Sequence, residues 1–187
     1  MCFSKKLNFI FVQNLASMNE IINRVAKSSL ITIDLAHIFN SEILPKIKIL
    51  DIQEFLRDGQ ILIEKEFRAT LKEINWADFQ DRFVHITCSG DPILPGWAFL
   101  LLQCHLAPFA EFCGVGNKDD FNNLAIEHYV KNMNLDDFSG KPIIIKGCGN
   151  MKINEQTYLS LVAKLQPVAK SLMYGEACST VPLYKKK

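Results

Sequence analysis

The feature that most constrains the fold is a run of three isoleucines, residues 143–145, within the segment KPIIIKGCGN. An unbroken apolar run without polar alternation is typical of a strand covered on both faces, as in parallel sheets flanked by helices. Gly147 and Gly149 permit a tight turn after this strand and leave Cys148 at its carboxyl tip. Open α/β sheets bind their ligands at that edge, so this turn is a candidate site.

From residue 83 onward, strand patterns alternate with helical patterns, which predicts a mostly parallel sheet. Pro108 and Pro167 are expected to end two of the helices, each within a Leu-x-Pro-x-Ala pattern. The predicted fold class is α/β, a single three-layer domain with an extra N-terminal strand pair at one edge of the sheet. Its strands are expected near residues 83–87, 110–115, 142–146 and 170–174, with the added pair near residues 30–33 and 46–50.

A length of 187 residues with 49% hydrophobic content is sufficient for one core, so one domain over residues 18–187 is expected. Residues 1–17 are interpreted as an extension outside the fold, because Met18 opens an amphipathic helix. The apolar face of that helix holds Ile21, Ile22 and Val25. A secretory signal is the alternative for the extension, but its apolar run from Leu7 stops at Gln13, short of a typical ~7–15-residue signal core.

The charge of the chain excludes some classes of partner. A net charge of +1, from 21 basic and 20 acidic residues spread along the chain, argues against nucleic-acid binding. No apolar stretch approaches the ~18 residues of a membrane helix, so no membrane partner is expected. Six scattered cysteines are too few for a disulfide scaffold of this size, which favours a reducing, cytoplasmic location. The sequence leaves the oligomeric state open.

Three cysteines, Cys88, Cys148 and Cys178, each follow a predicted strand of the same parallel set. Neighbouring strands lie ~4.8 Å apart, so side chains from adjacent strand tips can converge on one ion. Thiolates are soft ligands that bind zinc, iron or an iron–sulfur cluster in preference to magnesium or calcium. Asp91 or Glu176 is a candidate for a harder fourth ligand. Because the chain contains no CxxC pair, this metal site rests on topology alone.

Alternatives remain open for the same residues. Lys146 precedes Cys148 by two residues, and a nearby lysine can lower a thiol pKa and create a nucleophile, although a solvated strand end is the preferred interpretation of Lys146. Cysteine also serves as a small buried hydrophobe, which is the interpretation favoured for Cys104 and Cys113. His85 is expected to be a core histidine. Gly-x-Gly turns, as at residues 114–116, suit phosphates, but none completes GxGxxG.

Three segments resemble a bacterial family known as domain of unknown function 2480. They are ITCSGD at residues 86–91, IIIKGCGN at residues 143–150 and LQPVAKSLMYGEACSTVPLYKKK at residues 165–187. The similarity extends from Asn19 to the C-terminus and brings no established activity with it. Because genes of this family are often neighbours of suf-type iron–sulfur assembly genes, the resemblance implies a supporting role in cluster or sulfur handling, with assembly proteins as partners.

The leading hypothesis is a metal- or iron–sulfur-binding accessory protein with a three-cysteine site at the carboxyl ends of the strands. The alternatives are a thiol enzyme that carries or transfers sulfur as a persulfide, and an interaction scaffold without site chemistry. The C-terminal segment is expected to be ordered through Tyr184, because Val181, Pro182 and Leu183 give it an apolar content unlike that of a disordered tail. If Cys178 joins the other two cysteines, this segment folds back across the strand tips.

Overall fold

A computed structural model describes residues 29–90, 92–147, 151–176 and 179–187. Its strands are β1 Ile31–Ile33, β2 Ile47–Asp51, β3 Phe83–Thr87, β4 Phe112–Val115, β5 Pro142–Ile145, β6 Ser171–Glu176 and β7 Ser179–Lys185. Its α-helices are α1 Leu35–Ile38, α2 Glu64–Glu73, α3 Gly96–Leu106, α4 Lys118–Asn132 and α5 Glu155–Leu165. A π-helical turn, Phe39–Ile43, follows α1 directly. None of the helices within these ranges is both long enough and apolar enough to cross a membrane.

The described strands form two sheets. The terminal sheet has the order β1-β5-β6-β7, and the central sheet has the order β2-β3-β4. Every neighbouring pair is parallel except β6 and β7. The predicted α/β class with mostly parallel strands is confirmed, but the expected common sheet is divided into two. The two N-terminal strands do not pair with each other. Strand β1 pairs with β5 in the terminal sheet, and β2 pairs with β3 in the central sheet.

One core joins the two sheets. Ile143 of the terminal sheet, Phe83 of the central sheet, Phe121 of α4 and Leu161 of α5 belong to the same buried cluster. A second cluster lies on the opposite face of the central sheet, where Val84 packs with residues of α2 and α3. Because side chains alternate across a strand, adjacent residues of β3 face the two clusters in turn. The helices therefore cover the central sheet on both sides.

The helix ends follow from local chemistry. The side chain of Asn117 accepts hydrogen bonds from the backbone N–H groups of Asp119 and Asp120 and begins α4. Helices α3 and α5 both end two residues before a proline, as predicted. The two Leu-x-Pro-x-Ala segments have matching backbone bonds, since Ala110 N–H donates to Leu106 O at 2.8 Å and Ala169 N–H donates to Leu165 O at 2.9 Å. The repeat is therefore structural at these two helix ends.

In the C-terminal segment, residues 179–185 form a strand, so the predicted order holds for the part that the structure describes. Strand β7 runs antiparallel to β6 from the Glu176–Ser179 pair to the Ser171–Lys185 pair, with one irregularity between Leu172 and Met173. Tyr184 packs against the core that the two sheets share. The segment is thus an edge strand of the terminal sheet, and its described part pairs alongside β6 rather than crossing the strand tips.

Candidate site at the carboxyl edge of the terminal sheet

Three charged side chains converge at the carboxyl ends of β1, β5 and β6. Asp34 follows β1, Lys146 follows β5, and Glu176 is the last residue of β6. The Lys146 ammonium nitrogen lies 3.3 Å from Asp34 Oδ2 and 3.7 Å from Glu176 Oε1. Backbone pairing continues to this point, because Lys146 N–H donates to Ile33 O at 2.9 Å. Parallel pairing of three strands thus brings together residues that are far apart in sequence.

The charges of this cluster support one another. The hydrogen bond to Asp34, followed by the charge of Glu176, raises the pKa of Lys146 above its ordinary value. Burial alone would raise the pKa of Asp34, but hydrogen bonds from the His37 backbone N–H and from Lys146 outweigh burial and lower it. The hydrogen bond from the His37 N–H, which is 3.0 Å long, also makes Asp34 the N-terminal cap of α1. At neutral pH two carboxylates face one ammonium, so the cluster carries one net negative charge.

Gly147 lies against the aromatic ring of Tyr174. A Cβ atom at position 147 would overlap the Tyr174 hydroxyl group, so this close approach requires glycine. The Tyr174 ring also makes an edge contact with Tyr158 of α5, with ring centroids 6.0 Å apart. These contacts determine the position of the chain immediately before residue 148.

A polar cleft of about 730 Å³ adjoins this cluster and shares Asp34 with it. Its lining includes His37, Asn40, Lys118, Asp119, Asn122, Met151 and Lys152. Neither Lys118 nor Lys152 forms an ion pair with any described residue. The amino end of α4 borders the cleft but is a poor phosphate site, since Asn117 already caps its amides and Asp119 and Asp120 repel anions.

Three of the five predicted ligands, Cys148, Cys178 and Asp91, lie outside the described residues. The strands that precede the first two cysteines, β5 and β6, are described, and they are adjacent in the terminal sheet. The partly buried Cys88 follows β3 in the central sheet. The adjacency that the metal site requires therefore holds for β5 and β6, the strands before Cys148 and Cys178, but not for β3, the strand before Cys88.

The three-cysteine metal site stays a prediction. Within the part of the chain that the structure describes, no group of three or more His, Cys, Asp or Glu side chains is arranged to hold a metal ion. Of the two harder ligands considered, Glu176 is described, and it reaches the carboxyl edge of the terminal sheet. Its side chain is 46% exposed.

The turn that contains Cys88 is held by a carboxylate from the neighbouring strand. Asp51, the last residue of β2, accepts hydrogen bonds from the backbone N–H and the hydroxyl group of Ser89. Asp51 also accepts from the Gln53 N–H at 3.0 Å, which is an ordinary cap. Although burial opposes ionisation, these bonds lower the pKa of Asp51. The cap can be predicted from sequence, but the contact with Ser89 depends on the pairing of β2 with β3.

The remaining cysteines and His85 have distinct surroundings. Cys104 is exposed, so the prediction that it packs in the core is wrong. Helix α3 buries residues 98, 102 and 106, and a position two residues from Leu102 lies on the opposite side of the helix. Cys113 is partly buried, and burial raises its pKa to about 11. His85 is a core histidine as predicted, since Nε2 lies 2.9 Å from Gly116 O and the ring stacks on Phe121.

Comparison with known proteins identifies one family. The sequence profile of the family described as "Protein of unknown function (DUF2480)" matches residues 19–186. The match begins at the residue where the resemblance was expected to begin, and it covers nearly all of the described structure. No curated protein and no solved structure matches the chain.

Proposed function

We propose that this chain, which belongs to the DUF2480 family, is an accessory protein that binds zinc, iron or an iron–sulfur cluster at the carboxyl edge of the terminal sheet. The observation that carries this proposal is the pairing of β5 with β6, in which Ile145 lies opposite Tyr174. Cys148 follows the end of β5 by three residues, and Cys178 follows the end of β6 by two. Paired strands lie ~4.8 Å apart, which is compatible with two thiolates on one ion.

The electrostatics of the edge favour a cation over an activated thiol. Asp34 and Glu176 together outweigh the single positive charge of Lys146, and this excess of negative charge attracts metal ions. The same ion pairs occupy the lysine that would otherwise stabilise a free thiolate at Cys148. The metal-binding hypothesis is therefore preferred to the persulfide enzyme.

Glu176 is the described residue best suited to complete the site. Its carboxylate is about half exposed, and its 3.7 Å separation from Lys146 exceeds hydrogen-bond length, so it can turn toward an ion. Cys88 is the weakest of the proposed ligands because it follows a strand of the other sheet. Partnership with iron–sulfur assembly proteins, and a cytoplasmic location that keeps the thiols reduced, belong to the same proposal.

Metal analysis of protein purified without oxygen tests this function. We expect bound zinc or iron in the wild-type protein and its loss in the Cys148→Ser and Cys178→Ser variants. Cys104→Ser is the matched control, because Cys104 is exposed on α3, and it should retain the metal. Cys88→Ser separates a three-cysteine site, which would lose metal, from a two-cysteine site, which would keep it. Unchanged metal content in the Cys148→Ser variant would refute the proposal.

Two other outcomes select the alternatives. If no metal is found and a cysteine at this edge is alkylated faster than free cysteine at neutral pH, the protein is a thiol enzyme. If serine at all three positions leaves metal content, thiol reactivity and cellular function intact, it is an interaction scaffold.

A further inference from the structure

We propose that the polar cleft beside Asp34 binds a small carboxylic acid that also carries an amino or hydroxyl group. The volume of the cleft, about 730 Å³, lies within the ~300–1,000 Å³ that is typical of small-molecule sites. Its described lining comes from α1, the π-helical turn, the first turns of α4 and the chain before α5. Of the charged cluster at the sheet edge, Asp34 alone belongs to this lining, so the inference goes beyond the proposed metal site and does not require it.

The walls of the cleft are held in place by the core beneath them and by hydrogen bonds. Phe39 of the π-helical turn and Phe121 of α4 belong to the same buried cluster. Asn123 of α4 donates a hydrogen bond to Lys152 O at 3.4 Å and accepts one from the Asn154 N–H at 2.9 Å. These bonds tie the chain before α5 to α4, so the walls are in position before a ligand binds, which lowers the cost of ordering the site.

Two ammonium groups and two amides in this lining have no partner among the residues that the structure describes. Lys118 and Lys152 form no ion pair with any of them. The side chains of Asn40, which is exposed, and Asn122, which is half-buried, make no hydrogen bond to a described residue, unlike the adjacent Asn123. Ammonium and amide N–H groups are the donors that bind carboxylate oxygens, so the cleft has unused donors for an anionic group.

The charges of the cleft favour a carboxylate over a phosphate. Asp119 also lines the cleft without an ion pair to a described residue, so the positive charges of Lys118 and Lys152 exceed its negative charge by one. Asp34 is left out of this balance because Lys146 neutralises it. A carboxylate matches one excess positive charge, whereas a phosphate group carries about −1.5 to −2 at pH 7. The Asp119 carboxylate accepts hydrogen bonds, which suits an amino or hydroxyl group on the same ligand.

A second cleft indicates on which side of the lysines the acid binds. It has a volume of about 740 Å³ and shares Lys118, Asp119 and Lys152 with the first cleft. Its lining also includes Asp120 and Glu155, so three acidic residues face two lysines there. This excess of negative charge repels anions, and the acid is therefore expected in the first cleft.

NMR titration of the isotope-labelled full chain with L-lactate and with L-serine tests the inference. We expect saturable shifts of the backbone amide signals of residues 37–40, 118–122 and 151–152. The Kd should lie in the millimolar range, because acids of this size have few atoms to make contacts. L-serinamide, which lacks the carboxylate, should cause no such shifts. The acid with the lower Kd shows whether the ligand is a hydroxy acid or an amino acid.

Charge reversal shows whether the two lysines hold the acid. The Lys118→Glu, Lys152→Glu double variant should bind at least ~tenfold more weakly, because attraction becomes repulsion at both positions. The matched control is Lys65→Glu, Lys72→Glu, which changes the net charge equally at exposed positions of α2, outside the lining of the cleft. This control should bind both acids as the wild type does. All four lysines are exposed, so both double variants should remain folded.

Three results would overturn the inference. The absence of saturable shifts with both acids would show that the cleft binds neither class. Equal binding of L-serinamide, or equal weakening in the two double variants, would show that the carboxylate and the two lysines do not form the site. Tighter binding of inorganic phosphate at the same residues would assign the cleft to phosphate compounds. The Cys148→Ser variant should bind the acids as the wild type does, so failure of the metal proposal would leave this inference standing.

Discussion

Replacing Gly147 with alanine tests how the edge of the terminal sheet is held. The added Cβ would overlap the hydroxyl end of Tyr174, so the ring must move away. No positive φ applies at this position, so alanine is tolerated by the backbone itself. The expected cost therefore comes entirely from displacement of the tyrosine.

The size of that cost follows from the burial of Tyr174. This residue is 39% exposed, so three-fifths of its surface is covered. A fully buried aromatic side chain covers ~150–250 Å². Three-fifths of that area, at ~25 cal/mol per Å², gives a cost of ~2–4 kcal/mol for complete expulsion of the ring. Loss of the Tyr158 edge contact alone costs ~0.5–1.5 kcal/mol. Restriction of the unfolded chain returns ~0.4–1 kcal/mol to the alanine variant. The net loss is then ~1–4 kcal/mol for complete expulsion and ~0–1 kcal/mol for loss of the edge contact alone, and for a partial displacement of the ring we expect ~1–2 kcal/mol.

A double-mutant cycle measured by urea unfolding distinguishes this cause from any other. In a Tyr174→Ala background the obstruction is gone, and Gly147→Ala should become neutral or slightly stabilising. The sign of the effect thus depends on the tyrosine. Equal destabilisation by Gly147→Ala in both backgrounds would refute the steric argument.

Three further predictions concern charge, thiol reactivity and the C-terminus. Because the pKa of Asp34 is lowered in the folded protein, its contribution to stability is present above the ordinary value of 3.8 and is lost as pH falls through the folded pKa. The Asp34→Asn variant, which can still cap α1, should therefore have a lower urea midpoint than the wild type at pH 7. This difference in midpoint should shrink below pH 3.8, and a difference that stays constant with pH would contradict the prediction. At pH 7.5, iodoacetamide should modify exposed Cys104 well before Cys113, whose pKa is about 11, as followed by peptide mass spectrometry; equal rates would exclude the role assigned to burial. Deleting residues 179–187 should lower the melting temperature, because it removes β7 and the core contact of Tyr184. Deleting only Lys186 and Lys187 removes one backbone hydrogen bond to Lys170 and should have little effect. Matching melting curves for the two deletions would mean that β7 contributes nothing to stability.

The sequence by itself determined those features that depend on neighbouring residues. Strand β5 follows from the unbroken apolar run at residues 143–145, and the ends of α3 and α5 follow from Pro108 and Pro167, which cannot continue a helix. Caps such as Asp51 are similarly local, because the carboxylate bonds an amide two residues away. Family membership was also recognisable from sequence, since the segments at residues 86–91, 143–150 and 165–187 carry it.

Only the tertiary structure decided which strands meet. Both sheets are built from parallel strands with similar apolar patterns, so periodicity alone could not assign β1 to β5 and β2 to β3. That pairing separates Cys88 from the sheet whose edge holds Lys146 and Glu176. It also creates the Asp34–Lys146 ion pair between residues 112 positions apart.

The exposure of Cys104 and the contact of Gly147 with Tyr174 have the same origin. A helix that is apolar all round does not reveal which side will be buried, and a glycine does not reveal what approaches it. Both are set by the packing of distant elements, because short-range preferences act within a few residues whereas contacts between elements depend on the whole chain.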